Sequence, residues 1–189
     1  MATVELRFIT SSPQKIEEVS EILTPAGVVI SPVTLAIEEI QTESLQILVR
    51  RKALAAFDKV RRPLLVEHTA LSLNHLNGLP GGLTRVFWDR LKEERFCELF
   101  ANTADPGMTV EAMIGYVDGR KISYHVGKVT GRVAPAPAGD RGFGWDSVFI
   151  PEGRDVTYAQ LEGDEKNQVS MRRLALDDLI AALRKDVSR

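Results

Sequence analysis

The chain carries a single cysteine, Cys97, in 189 residues, so no internal disulfide can staple it. That scarcity suits a reducing compartment and excludes a small secreted domain framed by cross-links. Long hydrophobic runs are absent, since no apolar stretch approaches the roughly 18 residues that suggest a membrane span. The first residues, MATVELRF, put Glu5 where a secretory signal runs apolar, and neither end carries a lipidation motif. A surplus of one charge is also missing. With 24 Lys plus Arg against 26 Asp plus Glu, the formal net charge is -2, which gives no whole-chain attraction to nucleic acid or to an anionic membrane. The P-loop pattern, the Rossmann glycine fingerprint, zinc-type Cys/His spacing and internal repeats do not occur. These absences predict a cytoplasmic, soluble protein without a nucleic-acid or membrane partner.

What is present is globular composition. Hydrophobic residues make up 44% and charged residues 26% of the chain, enough apolar surface for one sizeable core and too much for disorder. No linker separates autonomous units, so residues 1–189 read as one domain. Val4 to Thr10 alternates as a strand and runs into Ser11-Ser12-Pro13-Gln14-Lys15, where the period changes from two to about 3.6. Ser12 suits a helix N-cap and Pro13 the first helical position. Ile16, Val19, Ile22 and Leu23 then share a face until Gly27. Val28 to Val33 reads as a second strand, and Leu45, Leu48, Val49, Lys52, Ala53, Ala56 and Val60 mark a helix that Pro63 ends. Pro63 to Glu67 is an apolar burst typical of a strand buried on both faces, delivering Glu67-His68-Thr69 at its carboxyl end. Asn77 to Gly82 is a loop, and Thr84 to Phe100 a helical stretch broken near Lys92-Glu93. Met108 to Val117 and Arg120 to Val129 alternate around Asp118-Gly119, a hairpin signal. A loop over 134–142 precedes Phe143-Gly144-Trp145-Asp146 and a short strand through Ile150. Leu176, Leu179, Ile180, Leu183 and Val187 close the chain at helical spacing. Alternating strands and helices followed by a hairpin predict an α/β fold with a mixed sheet.

Three places carry chemistry. The turn Thr10 to Lys15 combines a helix N-terminus, hydroxyls and an ammonium, a set suited to phosphate; the same residues also make an ordinary Ser-Pro cap with a solvated lysine. Glu38-Glu39 and Glu67-His68 offer oxygen ligands of the kind Mg²⁺ takes, or else two exposed acidic pairs. Phe143 and Trp145, flanked by glycines and followed by Asp146, Lys166, Ser170 and Arg172, can stack a purine and bond its edge. They equally suit core aromatics on a β-bulge with Arg172 capping the last helix. Cys97 has no nucleophile signature around it, and His68, His75 and His125 are scattered.

In order and spacing these places resemble the inosine triphosphate pyrophosphatase family. The likeness runs from Leu6 to about Leu183. It rests on Phe8-Ile9-Thr10 with Lys15 and Glu17-Glu18-Val19, Leu65-Val66-Glu67 with Thr69, Asn77-Gly78-Leu79-Pro80-Gly81, and Gly142-Phe143-Gly144-Trp145-Asp146. Thr157-Tyr158-Ala159, Glu165-Lys166-Asn167 and Ser170 with Arg172 complete it. The resemblance implies hydrolysis of noncanonical purine nucleoside triphosphates (ITP, dITP, XTP) to monophosphate and pyrophosphate. It implies a long central mixed sheet with helices in two lobes around a nucleotide cleft, Mg²⁺ or Mn²⁺ as cofactor, and a homodimer. By position it assigns Thr10, Ser12, Lys15, Lys52 and Thr69 to the phosphates and Glu39 to the metal. Phe143, Trp145, Asp146, Lys166, Ser170 and Arg172 fall to the base. Three positions depart from the family pattern. Ser12 replaces an asparagine, His68 replaces the central metal-binding and water-activating aspartate, and Met171 replaces the histidine of a Ser-His-Arg signature. Two readings follow: a pyrophosphohydrolase on the family's substrate or a retuned one, with His68 handling the attacking water, or a nucleotide-binding module that kept the pocket and lost the chemistry.

Overall fold

A computed structural model describes residues 4–187, with side chains described through Lys185. The chain builds β1 (Val4–Ile9), α1 (Pro13–Leu23), β2 (Val28–Val33), α2 (Leu45–Val60), β3 (Leu64–Leu73) and β4 (Pro80–Gly81). It continues through α3 (Thr84–Phe100), β5 (Gly107–Val117), β6 (Ile122–Val133), β7 (Phe149–Pro151), α4 (Gly163–Gln168) and α5 (Met171–Val187). The strands form one seven-stranded mixed sheet in the order β2-β1-β3-β5-β6-β7, with β4 paired to β3. β1 is parallel to both neighbours, and the other pairings are antiparallel.

The crossovers put the first two helices on opposite faces. α1 buries Val19, Ile22 and Leu23 in the larger core with Phe8, Leu65, Phe96 and Leu176, whereas α2 buries Leu45, Val49, Ala53 and Ala56 against Ile9, Leu64 and Val66. The chain therefore winds from β1 to β2 on one side and to β3 on the other, which makes β1 a topological switch point. In open α/β sheets ligands bind outside the carboxyl end of such a strand. β1 stops at Ile9 and touches β3 only at Leu64 and Leu65, while β4 reaches β3 again at Leu71 and Ser72. Between them, β3 has an open edge.

Several expectations need correction. β3 does not end at Glu67-His68-Thr69; it runs to Leu73, because β5 pairs with it throughout and Ala70, Leu71 and Leu73 are buried. Asp118-Gly119 is not a two-residue turn: Val117 pairs with Ile122, and the Asp118 carboxylate accepts from the Arg120 and Lys121 amides to close a longer loop. β6 extends past Val129 to Val133. The aromatic segment is a short 3₁₀ turn over Gly144–Val148 rather than a bulge. The expected break in α3 sits at Lys92, with φ 58° and ψ -174°, a conformation that costs an L-residue backbone strain. The apolar stripe of α5 is seen in Leu176, Leu179 and Ile180, whereas the side chain of Val187 lies outside the described residues. Gly127 lets α5 rest on β6, since a Cβ there would lie 1.9 Å from the Met171 carbonyl oxygen. No helix among the described residues is long and apolar enough to cross a membrane.

Candidate active site

A cavity of about 720 Å³ opens at the end of β1 and along the free edge of β3. Thr10, Ser12, Lys15, Glu39, Lys52, His68, Thr69, Phe143, Trp145, Asp146, Lys166 and Arg172 all border it. Residues from eight scattered stretches of chain thus meet in one hollow. Of the expected site residues, Ser170 is the one that does not border it; its hydroxyl accepts from the Arg172 and Arg173 amides and caps α5.

At the phosphate-suited end, the Ser12 side chain accepts from the Lys15 amide as N-cap of α1, and Thr10 Oγ1 accepts from the Ser12 amide. The turn is a Ser-Pro cap as expected, but its lysine is largely withdrawn from solvent. Its Nζ lies 2.6 Å from Glu67 Oε2. Burial lowers the Lys15 pKa, Glu67 works against that and Arg172 adds to it. Lys52 reaches across from α2, 2.7 Å from Glu39 Oε1. Burial pushes Glu39 up, but the hydrogen bond and charge of Lys52 outweigh it and leave the carboxyl below its usual range. Glu38 is exposed and does not border the cavity.

His68 stands between these pairs, its Nδ1 4.0 Å from Glu39 Oε2. Burial and then the Lys15 charge depress its pKa to about 4, so the imidazole is neutral at physiological pH. Glu67 is the residue that strand alternation undervalues. It does point to the opposite face of β3 from His68, but the cavity wraps the open strand edge and admits both. Only 2% exposed, Glu67 accepts from Arg172 Nε and Nη2 at 3.1 and 3.0 Å as well as facing Lys15.

From Glu67 the ion network continues through Arg172 to the other end of the hollow. Arg172 and Lys166 share the Glu18 carboxylate, and Lys166 also lies 2.8 Å from Asp146 Oδ2. Asp146 further accepts from the Phe143 amide at 2.9 Å, which closes the loop around Gly142. Lys166 and Arg172 approach the Phe143 ring, 5.2 and 5.6 Å from its centroid, a cation–π arrangement. Trp145 is 7% exposed and stacks edge-on with Phe149, so it belongs chiefly to the core and only borders the hollow. Arg172 does not merely cap α5; it is fully buried, and burial lowers its pKa to about 10. Met171 brings a buried thioether to this end. Glu18 escaped the sequence reading, although its spacing three residues after Lys15 places both on one face of α1. Arg85, Trp88 and Asp89 escaped it too; their helical spacing on the first half of α3 presents them together to the cavity.

The comparisons with known proteins agree with this architecture. A HAM1 protein from Coxiella burnetii superposes with a TM-score of 0.82 over 97% of this chain and 100% of its own, at 22% identity, a likeness of fold. Residues 6–182 match the profile of the Ham1 family. The chain belongs to the Ham1 family. It is 31% identical over 176 residues to a dITP/XTP pyrophosphatase of Methanopyrus kandleri, covering 92% of this chain and 93% of the relative. It is 34% identical over 174 residues to inosine triphosphate pyrophosphatase 2 of Trypanosoma cruzi, covering 91% and 88%.

Proposed function

We propose that this protein is a nucleoside-triphosphate pyrophosphohydrolase that converts noncanonical purine triphosphates (ITP, dITP, XTP) to the monophosphate and pyrophosphate. The observation that carries the reading is the shared cavity, with Lys15 and Lys52 at one end and Phe143, Lys166 and Arg172 at the other. Relatives covering most of the chain bear the names of such enzymes. In this reading the triphosphate lies at the α1 N-terminus against Thr10, Ser12, Lys15, Lys52 and Thr69. The purine lies on Phe143, with Asp146, Lys166 and Arg172 at its edge. The two expected lobes correspond to the α1/α5 layer and the α2 layer.

His68 positions the attacking water. A neutral imidazole has a free lone pair, and one with a pKa of about 4 is about as basic as a carboxylate. The water oxygen bonds to phosphorus, its proton passes to His68, and the bond bridging the α- and β-phosphates breaks with its electron pair leaving on pyrophosphate. Lys15 and Lys52 hold the charge that develops. Magnesium, which the resemblance implies, does not fit the donors present. Among the described residues no three His, Cys, Asp or Glu side chains are arranged to hold a metal ion, Glu39 is ion-paired to Lys52, and an imidazole is a poor partner for a hard cation. No step above is routed through a metal. The cytoplasmic location and the homodimer belong to the same reading.

His68 also favours the second reading, a module that binds nucleotide without cleaving it. Purified protein incubated with ITP, dITP, XTP, ATP and GTP and assayed for pyrophosphate separates the two. Release from the noncanonical triphosphates, lost in His68→Ala, supports the hydrolase. Calorimetric binding without any turnover overturns it in favour of the module.

A further inference from the structure

The phosphate end of the cavity is short of negative charge that a cation could use. Three side chains with metal-ligating atoms face it: Glu39, Glu67 and His68. Both oxygens of Glu67 are engaged, Oε1 by the Arg172 guanidinium and Oε2 by Lys15 at 2.6 Å. Glu39 Oε1 is engaged by Lys52 at 2.7 Å. That leaves Glu39 Oε2 and, 4.0 Å away, His68 Nδ1. In either protonation state His68 contributes no negative charge. Mg²⁺ takes six oxygens near 2.1 Å, one or two of them usually from unpaired protein carboxylates and the rest from waters and substrate phosphates, and a softer ion such as zinc takes three or four protein ligands; here the one open carboxylate oxygen belongs to a group already paired to Lys52, and the remaining donor is an imidazole nitrogen. The attraction of Glu39 for a dication is offset by the repulsion of Lys52 beside it, and Lys15 adds a further positive charge on the same side.

We propose that this site neutralises a nucleotide's phosphate chain with Lys15, Lys52 and the α1 N-terminus, and recruits no divalent cation onto protein ligands. The inference rests on the nucleotide reading above and deepens it. Its consequence has a sign. Mg²⁺ chelated by a triphosphate removes two negative charges from the ligand. A site whose one open carboxylate oxygen, Glu39 Oε2, belongs to a group already ion-paired to Lys52 loses more attraction than the ion returns. Nucleotide binding is therefore weaker in Mg²⁺ than in EDTA, by about 2- to 10-fold. Replacing His68 by aspartate supplies a second carboxylate beside Glu39 and reverses the sign.

The test is calorimetry with the uncleavable α,β-methylene analogue of ITP, in EDTA and in millimolar Mg²⁺, for the wild type, His68→Asp and His68→Asn. Electron paramagnetic resonance of Mn²⁺ added to each protein without nucleotide runs in parallel. The expected result is weaker binding in Mg²⁺ for the wild type and His68→Asn, tightening of about 10-fold or more for His68→Asp, and free Mn²⁺ in the wild-type spectrum. Tightening of the wild type by Mg²⁺, or immobilised Mn²⁺ in its spectrum, overturns the proposal. Failure of every protein to bind the analogue in either buffer counts against the nucleotide reading instead, and the Mn²⁺ spectra of the unliganded proteins still decide the metal question.

Discussion

Glu67→Gln is the perturbation that bears most directly on how the site is held. The carboxylate is 2% exposed and faces two cations, Lys15 at 2.6 Å and Arg172 at 3.0 Å. Two unit charges about 4 Å apart attract by about 4 kcal/mol at an effective dielectric of 20. Against this stands the cost of desolvating the carboxylate itself, which the neutral amide avoids. Removing one partner of a buried pair leaves the other uncompensated and typically costs 3–5 kcal/mol. Because Glu18 still serves Arg172 and the amide oxygen can accept one bond, the lower end applies, about 3 kcal/mol. For a chain of this size that lowers the melting temperature by roughly 6–12 °C. Loss of Glu67 also removes the interaction that opposes the burial-driven fall of the Lys15 pKa, so that fall deepens. The assay is urea unfolding of wild type, Glu67→Gln, Lys15→Met and the double variant. Removing Lys15 as well relieves a stranded buried charge, so the cycle shows a coupling of about 1–3 kcal/mol. A loss below 1 kcal/mol with additive single effects would refute the picture of Glu67 as a desolvated hub.

Stability has a defined dependence on pH through His68. Its folded pKa of about 4 lies below the ordinary 6.5, so as pH falls through 6.5 the unfolded chain takes up a proton that the folded one refuses. Stability present above pH 6.5 is lost progressively down to about pH 4, by about 2–4 kcal/mol; urea midpoints at pH 7 and 4.5 fall further for wild type than for His68→Asn, and equal falls count against the assigned shift. Gly127→Ala forces a methyl to within 1.9 Å of the Met171 carbonyl oxygen and 2.8 Å of the Ala175 nitrogen, both backbone atoms. α5 must then lift from β6, at a cost above about 3 kcal/mol, read as a collapse of the thermal midpoint by circular dichroism.

Much of the fold was legible because its signals are local. Val28 to Val33 is a short apolar run and forms a strand with those bounds, and the α2 stripe is buried where its periodicity requires. Backbone twist and pairing partners are not local, and there the reading shortened β3 and tightened the hairpin turn. Residue type and spacing pointed only to an anion turn, an acid cluster and an aromatic-polar segment; the resemblance assigned the individual residues, and all of these except Ser170 border the cavity. Glu67 was undervalued by a sound rule applied without its context: adjacent strand residues face apart, but only where both edges of the strand are paired do they stay apart. Glu18 was hidden for another reason. A carboxylate on an amphipathic helix reads as solvated until Lys166 and Arg172, some 150 positions away in the chain, are folded over it.

The early stop of β1 at Ile9 acts as an aperture. Two more residues of extended chain there, Thr10 and Ser11, would in the register of Phe8 with Leu65 fall opposite Glu67 and His68 and narrow the gap between β1 and β4. The width of the mouth is thus set by the length of one strand, held short by Pro13 and the helix that begins there.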